Sequence, residues 1–462
     1  MVQFDVLSDD VLIEIFDFYV IVEPNRVKHE TEAWQTLVHV CRRWRYLVFA
    51  SPCRLGLRLY CTPRTPARDT LDVWPALPLI IGGDLISRDT DNVIAALGQR
   101  NRVRRVDLIL DGRKLEEVLA PMLVSFTELT DLQLYSHSEI PTVIPDSFLG
   151  RSAPRLRILT FYSISFPGLP KLLLSATHLV DLRLYRLPHS GYISPETIVA
   201  SLRVLSSLET LYLVFLSPRS RPDWGSRRPP PSKRSILPAL YDFIFKGVTE
   251  YLEELVSRID TPQLSSATIT FFNQIDFVCP RLAQFIDCTP ALRERDEAHV
   301  QFDDIFVNVT LRHRASPPYE DDLSINIPCE EQDWQLSSIE QVCNSLPPSS
   351  LSCVEDLYIE REFWGSSWKV DTIENALWLE LLRPFITVKN LYLSKEFAPG
   401  IAAALQELVV GRIMGILPNL QNIFMEGLKP SVSFQETIEQ LSASRRLSDH
   451  PITISDWDKD ST

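Results

Sequence analysis

From Asp9 onward, Leu12, Ile15, Phe16 and Tyr19 recur at the i, i+3, i+4, i+7 spacing that lines one face of a helix. Ser8 stands where an N-cap belongs, and Asp9 and Asp10 put negative charge in the first turn, where the helix dipole favours it. A second apolar stripe, Trp34, Leu37, Val38, Cys41, Trp44 and Val48, predicts one further helix that Ser51-Pro52 ends. A unit this small buries too little surface to be comfortably stable alone, so it is expected to lean on a partner or on the rest of the chain.

Further on the pattern changes to a recurring Leu-x-x-Leu-x-Leu. Its first five copies are Val103-Val106-Leu108, Leu129-Leu132-Leu134, Leu156-Leu159-Phe161, Leu179-Leu182-Leu184 and Leu208-Leu211-Leu213. Their central residues advance by 26, 27, 23 and 29 positions, close to the leucine-rich-repeat period, in which each unit adds one strand and one helix. Weaker copies follow at Leu264-Ala267-Ile269, Val354-Leu357-Ile359, Val388-Leu391-Leu393 and Leu420-Ile423-Met425. Pro167 to Ser175, Ile193 to Leu205 and Ala402 to Ile416 carry helical spacing between the strands. The repeats are degenerate: the consensus Asn that bonds the turn is missing, with Ile109-Leu110-Asp111 and Ser136-His137-Ser138 in its place. A nonrepetitive α/β domain with parallel strands is the plainer alternative.

Two stretches interrupt the array. Pro218 to Ser235 mixes prolines with Arg219, Arg221, Arg227, Arg228, Lys233 and Arg234, and reads as a solvated loop. From Phe271 to Cys353 the repeat is lost, while Val300 to Leu311 and Leu323 to Ile327 alternate as strands do, with a Pro317-Pro318 turn between them.

The N-terminal pattern resembles the F-box, the short helical module by which ubiquitin-ligase receptors dock on a Skp-type adaptor. Leu7, Asp9, Asp10, Leu12, Glu14, Ile15, Phe16, Val40, Cys41, Arg42 and Trp44 match the family's motif. Ser8 replaces the usual Pro, and the stretch from Ile21 to Glu32 lengthens the gap between the halves. By that resemblance the adaptor contacts fall on Leu7, Val11, Leu12, Ile15, Phe16, Val40 and Trp44. Irregular repeats after such a motif make most of the chain similar to the expanded fungal F-box-like proteins. The alternative is a pair of amphipathic helices that cap the following domain.

Composition narrows the function. With 46 Lys plus Arg against 60 Asp plus Glu, the net charge of −14 argues against nucleic-acid binding, which needs a basic footprint. A local arginine cluster from Arg42 to Arg68 reads as a solvated face that would also steer toward an acidic adaptor surface. Eight scattered cysteines without a Cys-x-x-Cys are no disulfide framework, and Cys41 and Cys53 read as reduced core thiols. The residues after Met1 carry an acid, Asp5, and not a basic leader, and no apolar run is long enough for a membrane span, so a cytoplasmic or nuclear location is expected. No phosphate loop, dinucleotide fingerprint, zinc-protease motif or nucleophile elbow occurs, and the eight histidines are dispersed. No enzyme activity, metal or cofactor is expected. His178 reads as a strand-entry residue and Asp303-Asp304 as a solvated turn.

The expected architecture is α/β: a small all-α F-box module followed by a leucine-rich-repeat solenoid with parallel strands concave and helices convex. Residues 1–60 form the helical module and 61–100 the connector, centred on Thr62 to Pro78, with the start of the array. Residues 101–455 form the repeat domain, with insertions at 218–235 and 271–353. The function implied by the resemblance is a non-catalytic substrate receptor of a Skp–cullin–F-box ubiquitin ligase, partnered by the adaptor, the cullin scaffold and an unidentified protein target. A repeat scaffold unconnected to ubiquitination is the alternative, and a hydrolase-like enzyme comes third. Strand alternation turns Tyr135, Tyr162, Arg183 and Tyr185, then Tyr212, Tyr358, Tyr392 and Phe424, away from the core. Repeated rings on adjacent strands offer rigid contact area for a target. The 218–235 loop or the C-terminal tail is the other possible cover for that face.

Overall fold

The computed structural model describes residues 7–21, 33–138, 141–222, 234–272, 277–293, 295–315, 322–361, 375–411, 416–427 and 452–457. The chain divides into two compact units, Met1–Ile193 and Ser194–Thr462.

The first unit opens with helices α1 (Asp9–Ile21), α2 (Ala33–Val38) and α3 (Arg42–Ala50). Ser8 caps α1 as the sequence suggests, its hydroxyl accepting from the Val11 amide at 3.4 Å. The single second helix read from Trp34 to Val48 is in fact two. Cys41 interrupts it in an extended conformation (φ −159°, ψ 170°), and its sulfur accepts from the Trp44 amide to cap α3. Cys41 and Cys53 are therefore exposed, not core thiols. Leu12 and Phe16 pack inward from α1, Trp34, Leu37 and Val38 from α2, and Leu47 and Val48 from α3.

Strands β1 (Leu59–Cys61), β2 (Leu79–Asp84), β3 (Val103–Leu110), β4 (Asp131–Ser136), β5 (Thr142–Val143), β6 (Ile158–Tyr162), β7 (Ile164–Ser165) and β8 (Asp181–Leu187) follow. In this unit β1, β2, β3, β4, β6 and β8 lie side by side in sequence order, and β5 pairs with β7 separately. Every pairing is parallel. Such pairing requires a crossover between consecutive strands, supplied here by short helices such as Asp91–Leu97 and Gly112–Leu119, the latter continued by a 3-10 turn at Ala120–Leu123. The Thr62–Pro78 connector is itself such a crossover: it holds the helix Ala67–Val73 between β1 and β2. Asp111, where the consensus Asn is missing, instead caps the helix Gly112–Leu119, accepting from the Lys114 amide at 2.9 Å.

The second unit holds β9 (Thr210–Phe215), β10 (Ser235–Ile236), β11 (Asp242–Gly247), β12 (Ile259–Asp260), β13 (Ser266–Phe271), β14 (Glu297–Phe302), β15 (Phe306–Arg312), β16 (Leu323–Pro328), β17 (Asp356–Arg361), β18 (Asn390–Leu393), β19 (Asn422–Glu426) and β20 (Thr453–Trp457). Its sheet runs β9-β11-β13-β16-β15-β14-β17-β18-β19-β20, with β10 and β12 paired apart. The order breaks inside the irregular segment. There β14 and β16 each pair antiparallel with β15, while β13–β16 and β14–β17 are parallel. Two reversals restore the strand direction, so the parallel array resumes at β17. The alternating stretch from Val300 to Leu311 forms a hairpin that turns at Asp303–Ile305, in line with the turn expected at Asp303-Asp304, and the Pro317-Pro318 turn lies outside the described residues.

Both units share one packing rule. Val106, Leu132, Leu159 and Leu182 of the first sheet, and Leu211 of β9, are buried, as are Leu108, Leu134, Phe161, Leu184 and Leu213 two residues on. The strands alternate buried and half-buried side chains, leaving one apolar face against the helices and one mixed face. The result is a mixed α/β architecture with mostly parallel sheets, consistent with a repeat array in which neighbouring units share a continuous core.

Candidate functional site

Two places have the character of binding surfaces: the outer side of α1 and the mixed face of the sheets. On α1 the apolar stripe is wider than the core that covers it. Leu12 and Phe16 are 1% and 0% exposed, whereas Val11, Ile15 and Phe18 are 44%, 47% and 73% exposed. Tyr19 and Val40 are exposed as well, and Leu7 and Trp44 are half-buried. Of the residues expected to touch an adaptor, Leu12 and Phe16 therefore lie in the module's own core; Phe16 packs on Trp44 with ring centroids 4.8 Å apart. Val11, Ile15 and Val40 remain on the surface.

Part of the arginine cluster clamps these helices together. Arg43 binds Asp9 at 2.7 Å and the Leu7 carbonyl at 2.6 Å, Arg54 pairs with Glu14, and Arg45 donates to the Val38 carbonyl at 2.9 Å. The acidic partners sit on α1, outside the arginine-rich stretch, so local charge counting missed them. On the other flank Trp34 packs edge-on against Trp74, 5.2 Å away, and Phe49 joins the pair. That cluster ties the module to the helix leading into β2.

On the mixed face of the first sheet, parallel register aligns Tyr135, Tyr162 and Tyr185 on successive strands. Their rings are 6.3 Å apart and tilted by 37° and 43°. Arg186 lies over the Tyr162 ring at 5.7 Å, within cation–π range. Arg183 is held by Asp181 at 2.8 Å, and the Tyr135 hydroxyl donates to Gln133 at 3.0 Å. Desolvation pushes the Tyr135 and Tyr185 hydroxyls above their ordinary pKa, so both stay neutral donors. All three rings are half-buried.

The second sheet is more ordered. His299, Tyr358, Tyr392 and Phe424 occupy one register row across β14, β17, β18 and β19. They stack almost face to face, at 4.2, 4.1 and 4.5 Å with planes within 3°, 9° and 10°. In-register parallel strands impose this spacing, because neighbouring chains lie about 4.8 Å apart. Tyr358, expected on the open face, is buried. The Trp457 ring of β20 lies 5.8 Å from it and 5.5 Å from Tyr392, steeply inclined to both. The C-terminal strand is thus the cover over this part of the face. Tyr212 is half-buried, and its hydroxyl donates to Asp242 at 2.6 Å.

Around the stack lies a polar lattice that the sequence did not reveal. Asn390 donates to Asp356 at 2.6 Å, Asn422 to Asn390 at 2.7 Å, and Thr453 to Asn422. Buried Glu297 accepts from Arg312 at 2.9 Å and from Arg314 at 3.3 Å, and Arg314 also pairs with Asp356. His299 Nδ1 is 3.0 Å from Glu360, and its Nε2 faces Glu297 at 3.6 Å. Desolvation raises the Glu297 pKa, but the adjacent His299 and the hydrogen bond from Arg312 outweigh it and hold the carboxyl down at about 2. The only signal in the sequence was a shared position, a polar residue two before each ring, at Glu297, Asp356, Asn390 and Asn422. Each of these carboxylates is tied to an arginine or an amide, the arrangement of a structural lattice. Among the described residues, no group of three His, Cys, Asp or Glu is placed to hold a metal ion. Nor is any helix among them long and apolar enough to cross a membrane.

No protein-family model matches the chain, and no curated protein sequence does. Among solved structures, the leucine-rich repeat-containing protein LegL7 from Legionella pneumophila is similar at 13% identity and a TM-score of 0.26, over 84% of this chain and 98% of that one. A likeness of that size carries no argument about fold or function.

Proposed function

We propose that this chain is a non-catalytic receptor that docks on a Skp-type adaptor through its N-terminal helices and holds a protein target on its sheet face, within a Skp–cullin–F-box ubiquitin ligase. The observation that carries the reading is the uncovered half of α1. Val11, Ile15, Phe18 and Tyr19 form a contiguous apolar stripe outside the module's core, the form of an amphipathic helix offered to a groove. The resemblance of the flanking residues to the F-box motif supports a Skp-type adaptor as the partner. The mechanism is proximity: one end is fixed to the ligase while the other raises the target's effective concentration near a ubiquitin-charged enzyme.

Val11→Asp/Ile15→Asp is the decisive variant, because neither side chain belongs to the core. Co-purification of the tagged chain should recover the adaptor with wild type and lose it with the double variant, while circular dichroism stays unchanged. Wild type that recovers no adaptor overturns the reading. A second reading, a repeat scaffold whose helices only cap the array, is favoured by the Trp34–Trp74–Phe49 cluster joining the module to the first repeat. The same experiment separates the two.

A further inference from the structure

We infer that β20 is a built-in occupant of a peptide-binding edge, and that this edge takes an extended partner segment bearing a hydroxyl residue and, four positions later, an aromatic ring. The inference rests on the reading of the sheet face as the target site, and names the chemistry of the target. Strand β20 pairs in parallel with β19 over five residues, Thr453 with Asn422 through Trp457 with Glu426. Among the described residues it stands last in the sheet order, and four of its five side chains are exposed, with Trp457 buried. Strand β17, by contrast, buries five of its six.

Two side chains of β20 carry specificity. Thr453 donates its hydroxyl to Asn422 and so completes the amide ladder that begins at Asp356. Trp457 sets its ring against Tyr392 and Tyr358. Backbone pairing, which any extended chain supplies, adds to these two anchors. A receptor edge with these anchors selects a hydroxyl and a ring at that spacing.

The chain's own strand holds the edge by proximity. Twenty-four residues separate Gly427 from Ile452 in the sequence, so β20 meets the edge as an intramolecular partner that a free segment must outcompete. A partner segment must displace it, so binding in trans is masked in the intact chain.

The test uses the full chain and a fluorescent peptide copying residues 450–459. Peptide binding, read by anisotropy, should be at least about tenfold tighter to Trp457→Ala than to wild type, since the variant loses the anchor that keeps the edge occupied. A peptide with alanine in place of its tryptophan should not bind, nor should the normal peptide bind Trp457→Ala/Tyr392→Ala. Equal affinity for wild type and variant, or binding that ignores the tryptophan, overturns the inference. Hydrogen exchange on wild type decides it without any variant: the Thr453–Trp457 amides should exchange at least about tenfold faster than those of Asp356–Arg361. Equal protection of the two strands overturns it as well. Adaptor recovery depends on α1 and is scored separately, so its loss counts against ligase docking and not against the edge.

Discussion

Glu297 shows how a buried carboxylate becomes a stability determinant on the mixed face of the sheet. Its pKa falls from an ordinary 4.5 to about 2 in the folded chain. A depressed pKa stabilises the fold above the unfolded value and loses that contribution as pH drops through the folded one. Urea midpoints should therefore decline between about pH 4.5 and pH 2, and Glu297→Gln should flatten that part of the profile. Thiol chemistry gives a second residue-level expectation. Burial raises the Cys61 thiol to about 11 and the Cys343 thiol to about 12, while Cys41, Cys53, Cys288 and Cys353 are exposed. Because the thiolate is the nucleophile, iodoacetamide should label the exposed four first, and Cys61 and Cys343 only after denaturation, as read by peptide mass spectrometry. The direction in which each ring points was legible from strand alternation alone. What lies on top of it was not: Tyr162 and Tyr358 follow the same rule, yet one is half-open and the other lies beneath a tryptophan from a strand far along the chain.

At the level of elements, α1 divides its apolar residues between two tasks, and the division is measurable. Phe16→Ala should destabilise the first unit by about 3–5 kcal/mol, since it empties a filled core position beside Trp44. Ile15→Ser, on the exposed half, should move the denaturation midpoint by no more than about 0.5 kcal/mol equivalent. The helical stripe was readable, but not which half is covered, because periodicity reports a face and not its neighbours. The break at Cys41 was invisible for a related reason. Trp34, Leu37, Val38, Cys41, Trp44 and Val48 keep helical spacing straight across it, and neither Gly nor Pro marks the interruption. A cysteine accepting an amide hydrogen bond through its sulfur does the capping that Ser or Asp would announce.

Across the whole molecule, the repeat spacing between Val106 and Leu211 was the most legible feature, because each unit must cover its apolar side with the next. Each of those five strand centres is buried, and β3, β4, β6 and β8 follow in order. The irregular stretch was recognised as strands, but its topology was not, since strand direction leaves no mark on alternation. Loss of the Leu-x-x-Leu-x-Leu register over residues 271–353 coincides with antiparallel pairing, where the residues between strands no longer need to build a crossover.

That three-stranded reversal also governs how the second unit can assemble. In a simple array each repeat docks on the one before it, and order spreads along the chain in short steps. Here the step after β13 cannot be taken by the next strand in sequence. The place beside β13 belongs to β16, and β14 stands three positions away, beside β17. Order spreading from β13 must wait until the β14–β15–β16 meander is complete, and β17 waits on the same event. Closing these longer loops before any contact rewards them slows the step, as non-local pairing does generally. Pulsed hydrogen exchange during refolding should show β14, β15 and β16 gaining protection together and later than β11 and β13. Protection of β14 ahead of β16 would mean that the meander does not act as a single gate.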